Sequence, residues 1–147
     1  MIEITYDHTE KMYKWVDPNS GEILTAPAKR KQDLFRAAVA ILDPELFATA
    51  EQIVERHPQL ERVTWRGVEL IAANAVEVFP VSRSGVVGMV ASSDEFGRYA
   101  IEATAYGLTC QCVHYQDGHA PLTESGSRYC KHLIAYHLYL MTREERF

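Results

Sequence analysis

The sequence is short of several features that would identify common classes of protein. It has three cysteines in 147 residues, and its longest apolar stretches reach about half of the roughly 20 residues that a membrane-spanning helix needs. Residues 1–5 do not combine a basic segment with an apolar core, so they do not resemble a signal peptide. We therefore expect a soluble, cytoplasmic protein whose thiols stay reduced and available to a metal.

Basic charge is also scarce. The chain has 15 Lys and Arg residues against 20 Asp and Glu residues, which gives a formal net charge of −5 with neutral histidines. Proteins that bind DNA strongly on their own usually carry a basic face. This balance therefore disfavours autonomous DNA binding, although a local basic patch would still allow it.

Sequence motifs of catalysis are missing as well. The chain contains no Gly-x-Ser-x-Gly nucleophile elbow, no Cys-x-x-Cys pair and no glycine-rich phosphate loop. Two pairs of an acid and a histidine, Asp7 with His8 and Glu55 with His57, stand alone and imply no nucleophile. We therefore predict no catalytic residues and interpret the protein as a non-enzyme.

Apolar periodicity predicts an α+β fold in which strands and helices are segregated along the chain. A hairpin is expected around the turn at residues 17–21, and three helices follow it. The second helix should begin with Asp43 as N-cap and Pro44 in its first turn. The third should run over about residues 59–73, where Gly67 weakens it by about 1 kcal/mol relative to alanine. This hairpin and helical region spans residues 1–75.

Residues 76–147 show a different pattern, which we interpret as a second region packed with the first as one compact unit. Three strand-like runs with turns between them, the last turn at residues 92–97, predict a three-stranded antiparallel β-meander. A final apolar helix follows Cys130 and ends in a charged tail at residues 143–146. Four apolar side chains of this helix are expected in the core: Leu133, Ile134, Leu138 and Met141.

All three cysteines fall into one pattern with a histidine. Cys110-Gln111-Cys112 is followed by 17 residues and then by Cys130-Lys131-His132. Three thiolates and one imidazole are a usual ligand set of structural zinc, and four protein ligands leave no open position for catalysis. Sulfur ligands also favour zinc over magnesium or calcium. The sequence therefore predicts one structural zinc ion at these four residues.

The spacing also predicts where the ligands lie. Cys110 and Cys112 should leave the end of the third strand, whereas Cys130 precedes the last helix and His132 lies in its first turn, because residues two apart do not share a helix face. Residues 113–129 should form an irregular loop that the metal closes. In that loop His114 and His119 could replace a ligand, although we interpret them as solvated. The remaining alternative is that the quartet is simply buried core.

This arrangement resembles the SWIM zinc finger. In that family a Cys-x-Cys pair, a loop and a Cys-x-His pair follow a short β-meander and precede an apolar helix, and residues 130–135 are particularly similar to its closing segment. The resemblance covers about residues 76–141 and implies the same four ligands. It also implies DNA-binding or protein-binding roles, whereas the ATPase and nuclease motifs of larger members are absent.

Two functions remain open at this point, and we predict the first of them, with the second as its alternative. The first is nucleic-acid binding as a small accessory subunit of a DNA-processing complex, with Tyr115 and Tyr129 stacking on unpaired bases and residues 29–31 as a second basic patch. The phosphate contacts would then come from four basic residues near the predicted zinc end: Arg83, Arg98, Arg128 and Lys131.

The second function is a protein-interaction adaptor beside a larger enzyme, in which the zinc is purely structural. The acidic charge balance and the small size favour it. Acidic residues also lie among the four basic ones, so those could be ordinary solvated surface. In either case we expect a protein or nucleic-acid partner, no membrane and no small-molecule substrate.

Overall fold

The computed structural model of the chain describes residues 2–91 and 97–143. It contains a two-stranded hairpin, helices, a four-stranded antiparallel sheet and a C-terminal helix, so the predicted α+β class is confirmed. No helix among the described residues is long and apolar enough to cross a membrane. The predicted turn at residues 92–97 and the predicted charged tail fall largely on residues 92–96 and 144–147, which lie outside this description.

The chain divides into two compact units, Met1–Ala48 and Thr49–Phe147. The sequence predicted two regions that meet between residues 75 and 76. Residues 49–75 group with the C-terminal part because the helix that ends at Ala72 packs against the last helix of the chain.

The first unit contains β1 (Ile4–Asp7), β2 (Met12–Trp15) and α1 (Lys31–Leu42). β1 and β2 pair antiparallel, and Trp15 of β2 is buried with Leu34 and Ala38 of α1. At the hairpin expected across residues 17–21, the chain forms a bridge between Val16 and Ile23, supported by a hydrogen bond from the Leu24 N–H to the Trp15 carbonyl at 2.9 Å. The regular ladder of this unit is the one between β1 and β2.

α2 (Pro44–Arg56) begins where the sequence predicted. The Asp43 carboxylate accepts a hydrogen bond from the backbone N–H of Leu46 at 3.2 Å, as an N-cap does. A 3-10 turn at Pro58–Leu60 then leads into α3 (Glu61–Ala72), which is slightly shorter than predicted.

The sheet has one strand more than predicted. Its order is β3 (Val76–Arg83), β4 (Val86–Ala91), β5 (Arg98–Thr104) and β6 (Gly107–Cys110), each antiparallel to its neighbour. The extra strand forms because Thr104 closes a tight turn: its hydroxyl donates to the Gly107 carbonyl at 2.8 Å and accepts from the Tyr106 N–H at 3.2 Å. The three-stranded meander was therefore wrong in strand number, and the cysteine segment leaves β6.

The remaining helices are the short α4 (Val113–Gln116) and α5 (Lys131–Arg143). α5 packs against both α3 and the sheet. Leu133, Ile134 and Leu138 are buried as expected. Met141 is 53% exposed, so its predicted place in the core was wrong.

Two glycines let α5 approach its neighbours closely. A Cβ atom on Gly67 of α3 would lie 3.0 Å from the Ala135 backbone nitrogen of α5. A Cβ atom on Gly88 of β4 would lie 2.7 Å from both the Glu77 carbonyl oxygen and the Tyr136 ring. The sequence indicated only that Gly67 weakens a helix. The structure shows that a side chain at this position would collide with α5.

We predict that Gly88→Ala lowers the free energy of unfolding by about 1–3 kcal/mol, the usual effect of overpacking. The new methyl group meets backbone on one side and the Tyr136 ring on the other, so the strand or the helix must shift. Urea denaturation followed by circular dichroism measures the change. Gly97→Ala is the matched control, since nothing lies within 4 Å of its Cβ position, and we expect a change below about 0.5 kcal/mol. Equal stabilities of the two variants would contradict the packing role of Gly88.

Candidate metal centre

The first two cysteines lie on one side of an extended segment. Cys110 ends β6 and pairs with Ile101 of β5, while Cys112 has an extended backbone at φ −69° and ψ 154°. Residues two apart on an extended chain point to the same face. Both cysteines are accordingly buried, whereas Gln111 between them is exposed and donates to the Glu102 carboxylate at 3.0 Å.

The second pair lies at the start of α5, as predicted. Cys130 directly precedes the helix, and its carbonyl accepts the Ile134 N–H at 3.1 Å. His132 is in the first turn, and its ring contacts the ring of Tyr99 of β5 with 4.7 Å between centroids. The helix therefore sets the separation of the two ligands, and the sheet supplies an aromatic contact for the imidazole.

The four side chains converge on one point. The three sulfurs and a ring nitrogen of His132 all lie within 4.8 Å of one another, and all four residues are buried. All three cysteines are free thiols. A tetrahedral zinc with bonds of about 2.0–2.3 Å needs ligand atoms at roughly this spacing or slightly less. The cluster can hold a single metal ion at the residues that the sequence singled out.

His132 provides an independent test of whether the site fits a metal. The residue is 3% exposed, and among the described residues neither of its ring nitrogens has a partner at hydrogen-bond geometry, although its ring also helps to lower the pKa of the neighbouring Cys112 thiol. Buried polar groups are nearly always paired, because an unpaired one costs about 1–3 kcal/mol. A metal bond at one ring nitrogen would remove part of this cost. The unpaired imidazole is therefore better explained if His132 is a metal ligand than if it is an ordinary core residue.

Two backbone amides point to the sulfur atoms. The Tyr115 N–H donates to the Cys112 sulfur at 3.4 Å, and the Leu133 N–H donates to the Cys130 sulfur at 3.5 Å. In both cases the cysteine directly precedes a helix and bonds an amide of its first turn. Such hydrogen bonds stabilise a thiolate and fix the direction of its lone pairs, as outer contacts of metal ligands do.

The thiols share their protons within the cluster. The pKa of Cys112 is held well below its usual range because Cys110 and Cys130 donate hydrogen bonds to its sulfur. The pKa of Cys110 is raised by its hydrogen bonds to the two other thiols and then by burial. For Cys130 the bond with Cys110 lowers the pKa, but the bond with Cys112 and burial outweigh it and raise the pKa to about 11. Three thiolates here therefore need a compensating cation, which a divalent metal supplies.

The segment between the ligand pairs is more ordered than the predicted irregular loop. It contains α4 and a small turn, in which the Thr123 hydroxyl accepts the Ser127 N–H at 3.1 Å. The guanidinium of Arg128 donates to the carbonyls of Gly118 and Ala120, at 2.5 and 2.6 Å. The prediction was wrong because these side chains bond the local backbone, which spacing alone does not reveal.

Three of the four predicted phosphate contacts have described side chains, and each of the three interacts within the chain. Arg98 pairs with Glu77 at 2.9 Å, and Arg128 is bonded to its own loop. Lys131 begins α5, is half-buried and interacts within the chain. Arg83 ends β3, and its side chain lies outside the described structure.

The other residues singled out in this segment are placed as follows. His114 and His119 are exposed, in agreement with their interpretation as solvated residues. The Tyr115 hydroxyl donates to the Leu108 carbonyl at 3.5 Å, so this ring is tied to β6. Tyr129 contacts the ring of His137, with 5.6 Å between centroids. Both tyrosine rings are half-buried.

We predict that His132→Ala removes metal binding and loosens residues 113–129. At free zinc of about 1,000 times the dissociation constant, the wild type gains about 4 kcal/mol of unfolding free energy over its zinc-free form. The variant should lack this gain. Elemental analysis should find one zinc per wild-type chain and none in the variant. His119→Ala, an exposed histidine of the same segment, is the control that should stay loaded. A fully loaded and equally stable His132→Ala protein would rule out this ligand.

Arg128 is expected to order the loop. Its replacement by alanine removes two donors from carbonyls at residues 118 and 120, so hydrogen exchange of the amides of Ala120 and Tyr129 should become faster. Arg98→Ala is the control, because its ion pair is exposed and such pairs contribute about 0.2–1 kcal/mol. Unchanged exchange in Arg128→Ala would show that the guanidinium does not order the loop.

Comparison with known proteins leaves the site to be judged by its own geometry. No family model, no curated protein and no solved structure matches the chain. The resemblance to the SWIM finger therefore stays a prediction. What the structure establishes is a compact, buried cluster of three cysteines and one histidine that could bind a metal ion.

Proposed function

We propose that the chain is a non-catalytic, SWIM-like module in which one zinc ion is structural, and that it acts as a protein-interaction adaptor. The metal would be zinc because a set of three thiolates and one imidazole suits it better than a hard cation. Four protein ligands complete the tetrahedral shell. The role of the ion is therefore to hold β6, residues 113–129 and the start of α5 together.

The state of the basic side chains supports a protein partner over nucleic acid. Phosphate binding needs guanidinium and ammonium groups that are free to exchange counterions for phosphates. Arg128 instead donates to its own loop, and Arg98 already faces the Glu77 carboxylate. The net charge of −5 adds no long-range attraction for a polyanion.

Exposed apolar side chains on the segment between the ligand pairs support the same proposal. Val113, which directly follows the ligand Cys112, is 67% exposed, and Leu122, in the middle of the segment, is also exposed. Single exposed apolar residues are ordinary, but two of them on a segment closed by a metal give an adaptor apolar contact groups.

Nucleic-acid binding, as an accessory subunit of a DNA-processing complex, stays the alternative prediction. It would use Arg98 and Lys131, with the ion pair of Arg98 exchanged for a phosphate. Its test is direct, because phosphate contacts make binding weaken steeply with salt.

We expect fluorescent single- and double-stranded DNA to show no binding to the zinc-loaded protein at about 50 mM salt, where phosphate contacts are strongest. A titration at two salt concentrations measures this. Saturable binding that weakens steeply between the two concentrations would contradict the adaptor function and support the alternative.

A second prediction locates the partner surface. Val113→Asp should keep its zinc but reduce capture of the native partner at least tenfold, because a charge then lies in an apolar contact. Val81→Asp is the matched control, since Val81 of β3 is also exposed but lies outside the metal-closed segment. Quantitative affinity capture from the native host, with zinc content measured on the same samples, gives the ratio. Equal capture by both variants would exclude Val113 from the interface.

A further inference from the structure

A cleft of about 260 Å³ lies on the second unit, beside the metal centre. Its floor is apolar and is formed by Ile53 of α2, Leu60 of the 3-10 turn, and Ile134 of α5. Met141 lies near the end of the same helix and is exposed at the cleft, where its flexible thioether can adapt to an aromatic ring. The volume is just below the range of about 300–1,000 Å³ that holds drug-sized ligands, so it suits one or two rings.

The polar groups of the cleft are hydroxyls and imidazoles. The hydroxyls of Thr123 and Ser125 bond each other at 2.9 Å on one wall, and Tyr129 and His137 contact edge to face on another. Burial lowers the pKa of His137 below the ordinary value of 6.5, so at pH 7 its imidazole is neutral and offers one donor and one acceptor. No aspartate, glutamate, lysine or arginine lines the cleft in the described residues.

His57 adds an unmet hydrogen bond to this lining. Its Nδ1 atom is buried and has no partner among the described residues, although its ring is part of the cleft wall. A hydrogen-bonding group of a bound ligand that reaches this nitrogen would satisfy it, which favours ligands that carry such a group.

We infer that this cleft binds a small, uncharged aromatic molecule that carries a hydrogen-bonding group. A charged ligand is disfavoured because no aspartate, glutamate, lysine or arginine of the described residues lines the site, and burying an unpaired ion is costly. We infer a flat, aromatic ligand because the cleft is small and because Tyr129 and His137 present aromatic rings to it. This ligand class goes beyond the sequence analysis, which expected no small molecule.

The cleft should also be coupled to the metal. Thr123, Ser125 and Tyr129 lie between Cys112 and Cys130, so the segment that the metal closes forms one wall. Ligand binding then raises metal affinity by the same factor by which the metal raises ligand affinity. This coupling rests on the proposed zinc site, whereas the cleft itself does not.

The probe for the test is indole, an uncharged aromatic molecule with one N–H donor, titrated into the zinc-loaded full chain. Amide shifts in ¹H–¹⁵N spectra should saturate and concentrate at Tyr129, His137 and Met141. Indole-3-carboxylate should bind at least tenfold more weakly. Scattered, non-saturating shifts, or equal binding of the two compounds, would overturn the ligand class.

Two variants test whether indole binds at the cleft. His137→Gln and Met141→Ala should each weaken indole binding at least fivefold. Met141 is half-exposed, so its loss should leave the fold intact, and His119→Gln is the control that should bind normally. Unchanged affinity in both cleft variants would overturn the site.

Removal of zinc by a chelator tests the coupling and should weaken indole binding at least threefold. Zinc content measured on the same samples distinguishes the zinc site from the cleft. If the chain never holds zinc but still binds indole, the zinc site and the coupling are wrong and the cleft is not. Equal indole affinity with and without bound zinc would overturn the coupling alone.

Discussion

The structure of the second unit depends on two short segments whose buried side chains come together at one point. Cys110 and Cys112 come from the end of β6, and Cys130 and His132 come from the start of α5. Four potential ligand atoms from the two segments lie within 4.8 Å of one another. Residues 113–129 connect the segments, so they must close over that point. A cation would make this closure favourable, because it would compensate three thiolates and pair an imidazole that has no hydrogen-bond partner among the described residues.

The same helix carries the rest of the packing. Gly67 of α3 and Gly88 of β4 let α5 approach closely, at the Ala135 backbone nitrogen and at the Tyr136 ring. His132 lies in the first turn of the same helix, and Ile134 and His137 line the cleft. The candidate metal site, the core and the cleft thus share one helix, which is why we expect changes at one to affect the others.

The cluster of three cysteines and one histidine could be predicted from sequence because residue type and spacing are local properties. The Asp43 cap and the start of α5 were found for the same reason. β6, the loop bonds of Arg128 and the cleft could not be predicted, since each depends on groups brought together only by the tertiary fold. Arg128 is instructive, because a basic residue near a metal site suggests a phosphate contact, yet its guanidinium bonds two carbonyls of its own loop.

The most direct test of the proposed site is the identity and coordination of the ion that it binds. X-ray absorption at the zinc edge, on protein loaded with one equivalent of zinc, measures both directly. Our proposal predicts three sulfur ligands at about 2.3 Å and one nitrogen ligand at about 2.0 Å, with no bound water. A shell that contains oxygen, or fewer than three sulfurs, would contradict a closed structural site at Cys110, Cys112, Cys130 and His132.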